Sequence, residues 1–172
     1  IVEKVVAFLE QKNIEICFYS VFYDKLIENN VQLSHYKTFD SHKCLKENFD
    51  YLISIGGDGT ILRAATFVRD SNLPIIGINA GRLGFLATVQ EENIENLLNR
   101  VLVNDFSISK RTLVSLHAHP ENIDLEDINF ALNEITVSRK DTTSMITIET
   151  YINNEYLNSY WADGLIISTP TG

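Results

Sequence analysis

The segment ISIGGDGTIL at 53–62 constrains the fold more than any other part of the sequence. Its apolar half predicts a buried strand that runs into Gly56 and Gly57, and Gly59 with Thr60 opens a helix. A strand that passes through glycines into a helix is typical of a parallel sheet covered by helices, which binds ligands at the carboxyl ends of its strands. Glycines let the backbone approach a ligand closely, and the helix N-terminus offers unpaired N–H groups to a phosphate.

The same alternation of strands and helices continues along the first part of the chain. Apolar residues at helical spacing alternate with runs rich in β-branched and aromatic residues. The predicted helices lie at 1–12, 24–28, 60–70 and 91–103, and the predicted strands lie at 14–20, 50–55 and 73–79. This alternation predicts a Rossmann-like α/β domain over residues 1–88, in which helices flank a parallel sheet.

The sequence changes character after the helix predicted at 91–103. Short β-rich runs with polar breaks predict a mainly antiparallel, sandwich-like β domain over 89–172. Asn153-Asn154-Glu155 predicts a hairpin turn, because Asn tolerates left-handed backbone angles. The chain opens mid-helix, and the β domain has few strands to cover a sheet. We therefore expect a missing strand before Ile1 and a missing β-rich segment after Gly172.

Asp58 lies in the middle of the glycine-rich turn. Its carboxylate can accept a proton or bind a Mg²⁺ ion that accompanies a phosphate. A second interpretation stays open, in which Asp58 or Thr60 only caps the helix. Arg63 follows on the first helical turn or so, where it either reaches a phosphate or remains a solvated surface side chain.

Two further segments place unusual residues after or within apolar strands. INAGRLGFL at 78–86 carries Phe85, which either covers an adenine ring or packs between the two domains. ALNEITV at 131–137 interrupts an apolar strand with Asn133 and Glu134. Adjacent strand residues point to opposite faces. The pair therefore predicts a strand end or bulge at a binding site, or else an edge strand with one polar face.

The segment ADGLIISTPTG at 162–172 takes a strand into a run of hydroxyl groups. Thr169 and Thr171 can hydrogen-bond a ribose or a phosphate, and Ser144 is a further candidate for ligand contact.

The acidic composition restricts the partners. The net charge is −9 and the pI is about 4.8, which argues against nucleic acid. An anionic substrate must then be neutralised by backbone N–H groups, a few cationic side chains or a divalent metal, for which the side chains show no obvious site. No apolar run approaches the length of a membrane helix, so no membrane partner is expected. Cys17 and Cys44 have no metal or redox spacing, which favours free thiols in the cytoplasm.

Four motifs, in this order, resemble those of the NAD kinase family: GGDGT at 56–60, GRLGFL at 81–86, NE at 133–134 and DGLIISTPTG at 163–172. GGDGT alone is shared with diacylglycerol-type lipid kinases, and 6-phosphofructokinases carry a similar motif. The NE pair and the last motif distinguish NAD kinases from both. The resemblance implies phosphoryl transfer from ATP, or from polyphosphate, to the 2′-hydroxyl of the adenosine ribose of NAD. It also implies Mg²⁺ or another divalent cation and a dimeric or tetrameric homo-oligomer.

The resemblance implies roles for individual residues as well. Asp58 is the general base, and the phosphate-donor loop comprises Gly56, Gly57, Gly59 and Thr60. The residues implied in NAD binding are Asp58, Gly59, Arg63, Phe85, Asn133, Glu134 and Asp163, with Asp163 at the nicotinamide end. Many relatives carry a basic residue two places before that Asp, where this chain has Trp161. Two alternatives stay open: a lipid or sugar kinase with the same loop, and a nucleotide-binding module without turnover.

Overall fold

A computed structural model describes residues 1–45, 49–81, 84–119, 129–140 and 144–172 of the chain. The chain divides into two compact units, Ile1–Ser109 and Lys110–Gly172. The first unit contains helices and parallel strands, and the second contains antiparallel strands. The predicted fold class, an α/β part followed by a mainly β part, is confirmed.

The first unit alternates helices and strands as the sequence predicts. Its elements are α1 Val2–Gln11, β1 Cys17–Tyr19, α2 Ser20–Glu28, β2 Lys37–Phe39, a 3₁₀ helix His42–Leu45, β3 Leu52–Gly56, α3 Asp58–Val68, β4 Ile75–Asn79, a 3₁₀ helix Glu91–Asn93, and α4 Ile94–Leu102. The strand β2 was not predicted, because a strand of three residues is too short to show a period. Among the described helices, none is long and apolar enough to cross a membrane.

The parallel strands form two pairs in the described residues, β1 with β2 and β3 with β4. In the second pair Leu52 lies opposite Ile75 and Gly56 lies opposite Asn79, so both strands end at the same edge. The backbone N–H of Ala80 donates to the carbonyl oxygen of Gly56 (3.2 Å), which joins the two turns that follow the strands. The GGDGT turn and the loop after β4 therefore start side by side.

Both faces of the β3–β4 pair are covered. One face packs against α1 and α4 in a cluster built on Val5, Phe8, Ile78, Ile94 and Leu98. The other face carries Leu52 and Ile75 into a cluster built on Phe39, Leu45, Val68 and Leu73. Burial on both faces explains why these strands are continuous apolar runs rather than alternating ones.

The division between the units differs from the predicted boundary at 88/89. Helix α4 belongs to the first unit, because Ile94 (1% exposed) and Leu98 (3% exposed) pack in the same cluster as Val5 and Phe8 of α1. The apolar stripe of α4 thus buries against an element more than 80 residues earlier in the chain. The change in sequence character marks where helices stop, whereas packing divides the chain after Ser109.

The second unit consists of antiparallel strand pairs. Its strands are β5 Val114–Ser115, β6 Phe130–Ala131, β7 Glu134–Ser138, β8 Ile146–Ile152, β9 Glu155–Ala162 and β10 Gly164–Ser168. The pairs are β5 with β6, β7 with β10, and β8 with β9. Asn153 (φ 53°) and Asn154 (φ 68°) turn β8 into β9, which confirms the predicted hairpin. Two successive left-handed residues give the turn the twist that a hairpin requires.

Candidate functional site

The glycines of the GGDGT turn have distinct structural roles. A Cβ on Gly56, whose φ is 157°, would lie 2.2 Å from Thr60 Oγ1, so the turn requires glycine there. A Cβ on Gly57 or Gly59 would meet nothing within 4 Å. Helix α3 begins at Asp58, and its first helical hydrogen bond runs from the N–H of Thr60 to the carbonyl oxygen of Gly57 (3.0 Å), so the N–H groups of Asp58 and Gly59 precede the helical hydrogen-bond pattern. Open space before a helix N-terminus suits a phosphate group.

The carboxylate of Asp58 is held by the loop that follows β4. Its Oδ2 accepts a hydrogen bond from the N–H of Phe85 (2.8 Å), and its Oδ1 accepts from the N–H groups of Leu86 (2.9 Å) and Ala87 (3.1 Å). The structure thus brings the GGDGT and GRLGFL motifs together. Asp58 is the first residue of α3 and Gly57 is its N-cap, so the hydrogen bonds that the structure shows for the Asp58 carboxylate join it to the loop and do not cap the helix.

These hydrogen bonds stabilise the ionised form of Asp58. The N–H groups of Phe85, then Ala87 and then Leu86 lower the pKa of its carboxyl group below the ordinary value of 3.8, because they stabilise the ionised form. Asp58 is therefore a carboxylate at neutral pH. A carboxylate held in this way is a weak base that orients a hydroxyl group through a hydrogen bond.

The loop around Asp58 leaves one aromatic ring in solvent. The side chain of Phe85 is 95% exposed, so it does not pack in a core. Gly84 lies so close to Asp58 that a Cβ there would be 2.3 Å from Oδ1. The close approach of the loop to the carboxylate thus depends on glycine at position 84.

Arg63 lies on α3, and its side chain contacts Tyr19 of β1. Its guanidinium carbon lies 5.5 Å from the ring centroid of Tyr19, and its Nη2 donates to the Tyr19 hydroxyl (3.3 Å). The Tyr19 ring packs in turn against Phe39 and Phe67. Arg63 is therefore not a purely solvated side chain. Sequence reasoning missed Tyr19, since an aromatic residue in a strand is ordinarily core.

Asn79 is a second residue that sequence reasoning missed. It ends β4 and is 4% exposed. Its Oδ1 accepts from the N–H of Gly81 (2.7 Å), and its Nδ2 donates to the carbonyl oxygen of Ala87 (3.0 Å). A polar residue that ends an apolar strand before a glycine was the available signal.

In the second unit, the NE pair lies where one strand ends and another begins. Asn133 follows β6 in a bend, and Glu134 is the first residue of β7, which confirms the predicted strand end. Asn133 Oδ1 is buried and has no hydrogen-bond partner among the described residues. A buried acceptor of this kind calls for a donor from a ligand or water. Glu134 is exposed, which the edge-strand interpretation also explains.

The STPTG segment folds against this bend. The backbone N–H of Thr169 donates to the carbonyl oxygen of Asn133 (2.8 Å), and its Oγ1 donates to that of Leu132 (2.5 Å). Thr169 Oγ1 also accepts from the N–H of Thr171 (3.1 Å). The structure thus joins the NE and DGLIISTPTG motifs. The buried Thr169 hydroxyl is occupied by the turn itself, whereas Thr171 is only partly buried.

Asp163 is paired with Arg139, the residue that directly follows β7. Its Oδ1 lies 3.1 Å from Arg139 Nη1, and its carbonyl oxygen accepts from the backbone N–H of Arg139 (3.0 Å). Arg139 Nη1 also donates to the carbonyl oxygen of Ser144 (3.4 Å), whose side chain is exposed. Trp161 is 76% exposed. A basic group thus stands beside Asp163, and it is supplied by the residue after β7 instead of the position two residues before Asp163.

Acidic and metal-binding side chains are dispersed in this structure. Within the described ranges, no group of three or more His, Cys, Asp or Glu side chains is arranged to hold a metal ion. Cys17 and Cys44, both described, are free thiols.

The first unit is an α/β protein with an open glycine turn at the carboxyl ends of its parallel strands, and the chain continues into an antiparallel β unit. Residues 1–106 match the ATP-NAD kinase N-terminal domain, and residues 132–172 match the ATP-NAD kinase C-terminal domain. The chain belongs to the ATP-NAD kinase family.

Curated relatives with similar sequences include two bacterial enzymes. The NAD kinase of Flavobacterium psychrophilum is 62% identical over 172 residues, and that of Flavobacterium johnsoniae is 58% identical over 172 residues. Each match covers 100% of this chain and 58% of the relative. The chain therefore spans somewhat more than half the length of the curated relatives it matches.

Two solved structures resemble the chain. An NAD kinase from Archaeoglobus fulgidus in complex with ATP is 30% identical, with a TM-score of 0.62, and the match covers 88% of this chain and 59% of that one. Yeast NADH kinase complexed with NADH is 20% identical, with a TM-score of 0.80, and the match covers 99% of this chain and 54% of that one. The yeast structure supports the fold alone.

Proposed function

We propose that the protein containing this chain is an NAD kinase. It transfers a phosphoryl group from ATP to the 2′-hydroxyl of the adenosine ribose of NAD and produces NADP. The observation that carries the proposal is the ionised Asp58 carboxylate, held by three backbone N–H groups between two glycines with open space around them. The relatives named NAD kinase, up to 62% identical over the whole chain, support the same reaction.

In phosphoryl transfer the protein takes little part in covalent chemistry. Its main contributions are to position the reactants and to neutralise charge. The N–H groups at the start of α3 and the open turn at Gly57 and Gly59 bind the phosphates of the donor. Asp58 orients the ribose hydroxyl group. Because it is a weak base, it accepts the hydroxyl proton late in the reaction. A divalent cation such as Mg²⁺, bound with the ATP phosphates, would supply further charge neutralisation.

The remaining candidates bind the dinucleotide. The exposed ring of Phe85 covers the adenine. The buried Oδ1 of Asn133, which has no partner in the part of the chain that the structure describes, accepts a hydrogen bond from NAD. Glu134 and Asp163 contribute further polar contacts. The protein acts in the cytoplasm as a homo-oligomer. Light scattering coupled to size-exclusion chromatography would test the oligomeric state.

The reaction is tested with the full-length protein, NAD, ATP and Mg²⁺, and NADP is measured with an NADP-specific dehydrogenase. NADP formation that requires both ATP and the metal supports the proposal. Polyphosphate in place of ATP, and NADH in place of NAD, define the donor and acceptor range. Binding of NAD without NADP would favour a non-catalytic module, and turnover of a diacylglycerol or a sugar phosphate instead would favour the other kinases.

A further inference from the structure

Asn79 connects the two ends of the loop that holds Asp58. It lies opposite Gly56 at the end of the β3–β4 ladder and is 4% exposed. Its side chain accepts from the Gly81 N–H at 2.7 Å and donates to the Ala87 carbonyl oxygen at 3.0 Å. Its backbone N–H donates to the carbonyl oxygen of Val89 (2.7 Å). One buried carboxamide thus ties position 81 to position 87.

Ala87 is the link between Asn79 and Asp58. Its carbonyl oxygen accepts from Asn79 Nδ2, and its N–H donates to Asp58 Oδ1 at 3.1 Å. Ala87 is fully buried, so the loop has little freedom at this point. A shift of Ala87 would therefore move a donor of the Asp58 carboxylate directly.

We infer that Asn79 is a positioning residue that sets the geometry of Asp58 through its hydrogen bonds to Gly81 and Ala87. This inference rests on the proposed function, because it concerns the residue assigned there to orient the ribose hydroxyl.

The position demands an asparagine for a simple chemical reason. The site needs one donor and one acceptor on the same short side chain, and a carboxamide provides both. An aspartate at 79 would offer only acceptors and would place a buried charge against the Ala87 carbonyl oxygen. An alanine would leave the Gly81 N–H and the Ala87 carbonyl oxygen without these partners.

The experiment compares Asn79→Ala with Asn29→Ala in the full-length protein. Asn29 is the matched control, because its Nδ2 also donates to a backbone carbonyl, that of Lys25 (2.7 Å), but on the exposed end of α2. For Asn79→Ala we expect kcat to fall about 10- to 100-fold, with the KM values for NAD and ATP within about threefold of wild type. We also expect the amides of Phe85, Leu86 and Ala87 to exchange their hydrogens at least about tenfold faster. Asn29→Ala should change none of these quantities.

A double-mutant cycle separates positioning from general destabilisation. If Asn79 acts through Asp58, Asn79→Ala should lower kcat little further in an Asp58→Asn background. Additive losses, or a lower melting temperature with unchanged kcat and amide exchange, would overturn the inference. If Asn79→Ala does not fold, Asn79→Ser, which retains one hydrogen-bonding group, is measured in the same way.

The exchange measurement needs no turnover. A wild-type protein that makes no NADP would refute the proposed function, whereas unchanged exchange at 85–87 in a folded Asn79 variant would refute the role of Asn79.

Discussion

Replacing Gly84 by alanine should displace the Asp58 carboxylate. The new Cβ would lie 2.3 Å from Oδ1, 2.6 Å from Cγ and 2.7 Å from Oδ2, whereas ordinary contact begins at 3.4 Å. The carboxylate, or the loop, must therefore move by about 1 Å. The end of a flexible side chain could move easily, but three backbone hydrogen bonds of 2.8–3.1 Å hold this one. A misplacement of this size at a reacting group costs about 100-fold in rate.

Gly81→Ala is the matched control, because it makes the same change in the same loop where a Cβ would meet nothing within 4 Å. Steady-state assays of NADP formation give kcat and KM for both variants. We expect Gly84→Ala to lose about 100-fold in kcat with similar KM values, and Gly81→Ala to stay near wild type. Equal activity of the two variants would refute the view that the contact between the loop and Asp58 determines turnover.

Three further measurements test Asp58 and the Asn133–Glu134 pair. Asp58→Asn should reduce kcat about 10²–10⁴-fold while largely preserving NAD affinity. The new amide NH₂ group faces a loop N–H group, so the variant also loses at least one hydrogen bond. Near-normal turnover would exclude the general-base role. Asn133→Ala and Glu134→Ala should each weaken NAD binding by about 1–3 kcal/mol in calorimetric titrations, whereas unchanged affinity with a lower melting temperature would indicate a structural role. The pKa of Asp58 is lowered in the folded state. The ionised carboxylate therefore stabilises the fold at pH values above its ordinary pKa of 3.8, and this stabilisation is lost as the pH falls through the pKa of the folded state. Denaturant titrations below about pH 4 should therefore show a shallower loss of stability for Asp58→Asn than for wild type, and parallel curves would contradict the assignment.

Residues that act within one motif were accessible from the sequence. Position 56 has no room for a Cβ because Thr60, four residues later, occupies that space. Asn153 and Asn154 form their hairpin with each other and their immediate neighbours. In each case the residues that determine the geometry are adjacent, so the pattern of residue types indicates the structure.

Residues that act between motifs were harder to recognise. Arg139 belongs to no recognisable sequence motif. It forms an ion pair with Asp163 because the pairing of β7 with β10 brings the two residues side by side. Asn79 resembles any polar residue at the end of a strand until the loop folds back on it. A single sequence cannot reveal such partners, because their separation along the chain depends on strand register and loop path.

The sequence by itself determined the alternation of strands and helices, the glycine turn before α3, the hairpin at Asn153, and the family to which the motifs point. Only the tertiary structure decided that α4 packs with α1, and that N–H groups 27–29 residues away lower the pKa of the Asp58 carboxyl group. The physical reason is the range of the interactions. Backbone preference and apolar period are properties of neighbouring residues, whereas core packing and the pKa of a carboxyl group depend on whatever the folded chain brings within a few ångströms.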